Sequence, residues 1–399
     1  MKILIISHMY PSGFDEINGI FVHKQVKELK KQGCEVIVVS PVPYAPFPVK
    51  YLSKKWKKYS QIPKKAILED IEIYYPRYLS IPKNLFFASS GIRMYLGVKK
   101  TIAEIYKNFV FDCIHSHVAL PDGYAGMMIA KKYKKPLIVT IHGGDLQYTI
   151  FKNKKCKKNI EKVINFSKKT IVVSNKLKKN GEKELNILPN KTIVIPNGID
   201  IKDIYKGKSN LIKQYEDKKI ILSISHLHKI KGIDYNIKAI AKLINKHPDL
   251  VYLIIGDGQE RKNLAVLAKS LNIADHVKFL GQLTYRKTME YLSVCNIFSM
   301  PSWDEGFGIV YIEAMAHRKP VIAIRGQGIN DIIEDKKNGL LVEPKNTNSL
   351  IKALDFLLSS PEIAKNIGQE ARKIVLENYT WKIVVKKMIN VYNLCFLKK

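Results

Sequence analysis

Two carboxylates, Glu305 and Glu313, stand eight positions apart in PSWDEGFGIVYIEAMAHRKPV, residues 301–321, where a loop holding Gly306 and Gly308 runs straight into an apolar, helix-like segment. Glycines there let a ligand approach the backbone, and the free amides of a helix start form an anion site suited to a diphosphate. Carboxylates aimed at a diphosphate would repel it, so they must hold whatever flanks it. A sugar nucleotide has that form, with its diphosphate between two hydroxyl-rich rings. Glu305, in the loop, accepts hydrogen bonds from one ring; Glu313, whose Cα–Cβ bond leans back toward the helix N-terminus, reaches the other.

Further stretches suit the same ligand. ILSISHLHKIKGIDYNIKAI places His226, Lys229, Lys231 and Gly232 at a strand-to-helix turn, where a lysine neutralises charge on a departing diphosphate. LIIGDGQER, with Gly256, Asp257 and Gly258, is another strand-end turn, and each of these alone also fits a simple connector. In the first half, INGIFVHKQ sets Asn18 and Gly19 between a strand and a helix, while IHSHVALPDG and VTIHGGD bring His115, His117, His142 and Asp145 to strand ends on one rim. His115 reads as a packed strand residue. The histidines lack metal-ligand spacing and the chain has no D-x-D pair, so no metal and no other cofactor is expected.

These residues need strands and helices to carry them. Strand patterns fall at 2–6, 35–40, 113–116, 136–141, 170–174 and 192–195, with helical patterns at 17–31 and 122–132 among them. The turn cluster PNGID, 196–200, marks a domain boundary, after which strands recur at 220–225, 250–255, 277–280, 297–300, 320–324 and 339–342. The expected fold class is α/β: two Rossmann-like, doubly wound sheets, each binding ligand at its carboxyl edge, facing each other across a cleft. The expected division is residues 1–198, residues 199–378, and a helical segment, 379–399, packing back on the first domain.

Bulk properties restrict the partners. The five cysteines are odd in number and scattered, which suits reduced thiols. No leader and no spanning segment is legible, so the expected location is cytoplasmic. The net charge is +32, of which residues 1–200, with 35 Lys+Arg against 15 Asp+Glu, carry +20. Only seven of the 67 basic residues are arginine, which counts against base readout in nucleic acid and favours a lipid surface or anionic small molecules. A basic segment after a proline-rich one puts Leu52, Trp56 and Tyr59 at helical spacing among Lys54, Lys55, Lys57 and Lys58, the pattern of an interfacial helix on an anionic membrane. Docking of that aromatic stripe on its own domain is the competing reading.

Taken together, EGFGIVYIE, the KG turn, PNGID, HGGD and NGLLVEP resemble, in order along nearly the whole chain, the GT-B glycosyltransferases of family 4. The N-terminal YPSG, NGIFVHKQVKELKKQGCEVIVVSPVPY and HVALPDGYAG are further similar to enzymes of teichuronic acid and other surface-polysaccharide pathways. The resemblance implies a retaining, metal-independent transferase using a nucleoside diphosphate sugar such as a UDP-sugar. It makes Glu305, His142 and Lys231 the catalytic set, with Glu305 on the transferred sugar, Glu313 on the ribose, and Lys231 with the amides of Phe307, Gly308, Ile309 and Val310 on the diphosphate. Gly19 and His226 lie near the phosphates, Gly281 and Leu283 border the base, and His117 and Asp145 stand on the acceptor side. His226 replaces a usual arginine, and Asp331 a usual glutamate. The acceptor is expected to be a lipid-linked glycan at the inner membrane face, attacked on the side the diphosphate leaves, with the diphosphate taking the proton. A nucleotide-sugar epimerase or hydrolase on the same plan, and a basic nucleic-acid-binding protein, are the alternatives.

Overall fold

The structure is a computed structural model and describes residues 1–51, 53–81, 85–205 and 210–396. The chain divides into two compact units: residues 1–198 together with the C-terminal helix Trp381–Leu394, and residues 199–380.

The first unit is built on strands β1 (Lys2–Ile6), β2 (Glu35–Val39), β3 (Val42–Pro43), β4 (Lys65–Leu68), β5 (Ile71–Tyr74), β6 (Arg77–Tyr78), β7 (Cys113–His117), β8 (Leu137–Ile141), β9 (Lys169–Val172) and β10 (Thr192–Val194). Eight of these form one sheet in the order β10-β9-β8-β7-β1-β2-β5-β4, while β3 and β6 pair apart from it. Every neighbour in the large sheet is parallel except the edge strand β4, antiparallel to β5. Ile3, Leu4, Ile5 and Ile6 are all fully buried, as expected of a parallel strand covered on both faces. The chain leaves β1 for β2 through helix Ile20–Lys31 and later enters β7, on the other side of β1, from helix Ser90–Asn108. Strand order therefore reverses between β1 and β7.

The second unit holds β11 (Lys219–Ile224), β12 (Leu250–Ile255), β13 (Val277–Gly281), β14 (Ile297–Ser299), β15 (Val321–Ile324) and β16 (Leu340–Val342) in one all-parallel sheet ordered β13-β12-β11-β14-β15-β16. That is the 3-2-1-4-5-6 order of a dinucleotide-binding sheet, reversing between β11 and β14. In such a sheet the crevice at the carboxyl ends beside the reversal is where a ligand sits.

Local chemistry accounts for the departures from expectation. The helix expected from residue 17 begins at Ile20, because Gly19 adopts a left-handed φ of 68° and forms the cap. A Cβ on Gly19 would lie 2.2 Å from the Met9 carbonyl oxygen, so that turn admits glycine alone. The second expected helix begins at Tyr124, after a wide turn over Ala119–Gly123. The β4–β5 hairpin was not anticipated; charged and proline-rich composition obscured its alternation. Trp381, Val384, Val385, Met388, Val391 and Tyr392 of the C-terminal helix join Ile3, Ile5, Val22, Val26 and Leu29 in one core. All five cysteines are free thiols. Among the described residues, no helix is long and apolar enough to cross a membrane.

Candidate active site

At the reversal in the second sheet, the turn after β11 and the loop after β14 meet. Lys231 Nζ lies 2.7 Å from Glu305 Oε2, with 19% and 16% of the two side chains exposed. Backbone bonds set this approach: the Trp303 amide donates to the Ile230 carbonyl at 3.1 Å, and the Glu305 amide to Gln327 Oε1 at 3.0 Å. Gly308 caps helix Ile309–Ala316 at a φ of 83°, where a Cβ would stand 2.5 Å from the Tyr311 ring. Phe307 is buried, and the Tyr311 hydroxyl bonds the Met300 carbonyl, anchoring the helix start to the strand before it. The loop after β14 thus carries both the carboxylate of the ion pair and the helix start, beside the Lys231 cation on the turn after β11.

Glu313, one turn along that helix, is buried and accepts the Tyr285 hydroxyl at 2.8 Å. Burial, reinforced by Glu313 and Asp203, pushes the Tyr285 phenol far up, so it serves as a donor at all working pH. His226 is exposed on the turn after β11, its ring centroid 6.4 Å from that of His228. Gly281 closes β13 at a bulge with a φ of 70° and accepts the Gly256 amide at 2.8 Å, joining two strand ends near Leu283. Lys231, Glu305 and residues 307–310 are therefore brought together, whereas His226 makes no direct bond to that pair.

In the first unit, His117 Nδ1 lies 2.9 Å from His142 Nε2, and the rings stack at 5.2 Å. Burial pushes His142 down to about 3 and His117 well below its usual range, so both are neutral. His115 is locked between Tyr392 and Thr140, each at 2.7 Å, as a packed strand residue. Asp145, assigned to the acceptor side, uses both carboxylate oxygens on the backbone amides of Ala119 (2.7 Å) and Leu120 (3.2 Å), and burial pushes its carboxyl up to about 7. It also lines a cavity of about 600 Å³ at the carboxyl edge of this sheet.

Sequence reasoning missed a pair of which one member, His8, lines that cavity. His8, just past β1, puts Nδ1 2.9 Å from both carboxylate oxygens of Asp122, which also accepts the His8 amide at 3.1 Å. Tyr285 and Gln327 were missed as well. Asp122 lies within HVALPDGYAG but was given no role there, His8 precedes the quoted motifs, and the two residues are 114 positions apart.

Helix Lys54–Gln61 forms where the interfacial pattern predicts it, capped by Ser53 accepting the Trp56 amide at 3.3 Å. Lys54, Lys55, Lys57 and Lys58 are exposed and Trp56 is half-buried, while Tyr59 packs against the unit's own core. Part of the aromatic stripe thus docks inward. Leu52, the third member of that stripe, lies outside the described residues.

A cation–carboxylate pair beside a glycine-capped helix, at the reversal of a doubly wound sheet, is a site suited to an anionic ligand. The chain matches the family model for glycosyltransferase family 4 over residues 19–203 and that for glycosyl transferases group 1 over residues 208–374. It is 30% identical to the uncharacterized glycosyltransferase MJ1178 of Methanocaldococcus jannaschii, covering 82% of this chain and 90% of that one. It is 27% identical to TuaC of Bacillus subtilis, a glycosyltransferase named for teichuronic acid biosynthesis, with 92% of both chains covered. The structure of Anabaena HepE in complex with UDP and glucose shares the fold at a TM-score of 0.76 and 20% identity, covering 99% of this chain and 100% of that one. The protein belongs to the GT-B glycosyltransferases of family 4 and is an enzyme of that class.

Proposed function

We propose that the protein is a retaining glycosyltransferase that moves a hexose-type sugar from a nucleoside diphosphate sugar, a UDP-sugar in the first instance, to a lipid-linked glycan in cell-surface polysaccharide synthesis. The Lys231–Glu305 pair is the observation that carries the reading. A diphosphate arriving at the helix start competes for Lys231 and releases the Glu305 carboxylate to the hydroxyls of the transferred sugar. Glu313, held by Tyr285, takes the ribose. Gly281 and Leu283 border the base, and His142 is the first unit's contribution toward the donor sugar. The names of TuaC and of the UDP-bound HepE structure support the pathway and the donor. The reaction then rests on positioning and on stabilising charge that develops on the diphosphate.

A thermal-shift screen against UDP-, GDP- and ADP-sugars tests the donor. One base class at about 100 times its Kd raises the apparent melting temperature of the wild type by about 5 to 10 °C, and Lys231→Ala loses most of that rise. Equal, negligible shifts with every sugar nucleotide overturn the assignment.

The membrane part of the proposal rests on the exposed lysines around Trp56. Each lysine near an anionic surface contributes about 1 kcal/mol. The variant Trp56→Ala/Lys57→Ala/Lys58→Ala should therefore sediment with phosphatidylglycerol-containing vesicles about 30-fold more weakly than the wild type. Unchanged sedimentation removes this helix from the membrane contact.

A further inference from the structure

Both sheets reverse strand order once, and both carry a pair of oppositely ionising side chains at the carboxyl ends beside the reversal. In the second unit the pair is Lys231–Glu305, joining the turn after β11 to the loop after β14. In the first it is His8–Asp122, joining the turn after β1 to the turn after β7. The first pair has been given to the donor. We propose that the second holds the acceptor: His8 accepts a hydrogen bond at Nε2 from the attacking hydroxyl, and Asp122 is the positioning residue that fixes the ring.

The geometry supports this at several points. Asp122 is fully buried and binds the His8 backbone amide as well as its ring, so main chain and imidazole are held as one unit. A carboxylate on Nδ1 selects the tautomer with its proton there, which leaves Nε2 as a lone-pair acceptor. The His8 side chain is 35% exposed and lines the cavity of about 600 Å³, so that nitrogen is within a ligand's reach. Gly19, packed against the Met9 carbonyl, keeps the turn after β1 tight beside it. His115, by contrast, has both ring nitrogens committed. The ligand is thus a hydroxyl-bearing acceptor, most directly a sugar hydroxyl. The inference rests on the glycosyl-transfer reading and deepens it; the hydrogen bond orients the hydroxyl without deciding which group finally takes its proton.

The pH dependence follows from the groups around the ring. Burial lowers the His8 pKa, and the Asp122 carboxylate with its hydrogen bond, aided by Asp145, outweighs that, so the net direction is up from 6.5. Asp15, Lys55, Arg93 and Tyr78 line the same cavity. Once protonated, Nε2 donates instead of accepting and no longer receives the hydroxyl proton. Transfer therefore falls as pH drops through a midpoint above 6.5.

The test measures initial transfer rates of the full chain from pH 5.5 to 9, using the sugar nucleotide with the largest thermal shift and the n-octyl glycosides of glucose, galactose and N-acetylglucosamine. Wild type, His8→Ala, His8→Gln and Asp122→Asn are compared. The expected result is a loss of about 30-fold in acceptor kcat/KM for His8→Ala, the size of one hydrogen bond to a polarised group, with donor thermal shift unchanged. His8→Gln should keep part of the rate and lose the acid limb, and Asp122→Asn should move that limb down in pH. Where only water serves as acceptor, the same four proteins are compared on donor hydrolysis, in which water replaces the hydroxyl. His8→Ala within threefold of wild type, or an acid limb that survives in His8→Gln, overturns the inference. A wild type that turns over no sugar nucleotide defeats instead the glycosyl-transfer reading beneath it.

Discussion

Replacing Glu305 by alanine should lower kcat/KM for sugar transfer by about 100- to 1000-fold with little change in melting temperature. The magnitude is that of removing one preorganised polar group at the reacting centre. Among the contacts that fix the residue before any ligand arrives are the Lys231 ammonium on its carboxylate, Gln327 on its amide, and the Gly328 amide, which donates to its carbonyl at 3.3 Å. The last two are to the backbone and survive the substitution, so the loop keeps its course. The carboxylate alone is lost, and with it the proposed hydrogen bonds to sugar hydroxyls, which would strengthen as the sugar gains positive character. The loss should fall on kcat as well as KM, because bonds made tighter in the transition state act on both. The companion measurement is a double-mutant cycle with Lys231→Ala: two groups acting on one diphosphate sugar give non-additive losses. A Glu305→Ala enzyme that transfers at the wild-type rate with saturating donor and acceptor removes this residue from the site.

The largest expected effect on stability belongs to Trp381. Its side chain is 3% exposed and lies in the core of the first unit with Ile3, Ile5, Val22, Val26 and Leu29. Gly198 packs directly against it, since a Cβ there would stand 2.9 Å from the indole ring. Truncation to alanine should cost about 3 to 5 kcal/mol, transfer term and cavity term together. The indole nitrogen has no hydrogen-bond acceptor among the described residues, so its removal orphans no partner and the loss is one of packing. Calorimetry should show one transition lowered by about 10 °C. Nucleotide-sugar binding should persist at temperatures below it, because Lys231, Glu305 and Glu313 all belong to the second unit. A change under 1 kcal/mol would mean that the C-terminal helix adds little to that core.

The parts of the molecule legible from sequence were those encoded locally. β1 and β12 have the predicted limits, Lys2–Ile6 and Leu250–Ile255, because continuous runs of Ile, Val and Leu bounded by polar residues leave a buried parallel strand few alternatives. Gly308 and the apolar run after it announced the helix start, whereas the pairing of Lys231 with Glu305 was not anticipated. Contacts between distant segments were not legible. His8 with Asp122 and Tyr285 with Glu313 are each joined only by sheet topology or helix packing, and neither residue pair carries a spacing that a periodicity can detect. Asp145 shows a second kind of contact that was not legible: both its oxygens take the amides of Ala119 and Leu120 in the turn after β7, while the residue also lines the cavity.

The return of the chain to its first unit bears on the order of synthesis. Helix Trp381–Leu394 completes a core whose other members are made at the beginning, and 182 residues, Ile199–Thr380, intervene. At ordinary ribosomal speeds, about 5 to 20 residues per second, those residues take about 10 to 40 s to appear. Until then Ile3 and Ile5 of β1 and Val22 and Val26 of helix Ile20–Lys31 lack the partners that the C-terminal helix supplies to their core. The second unit, continuous in sequence, suffers no such delay. The half of the enzyme that is translated first is therefore the half that is finished last.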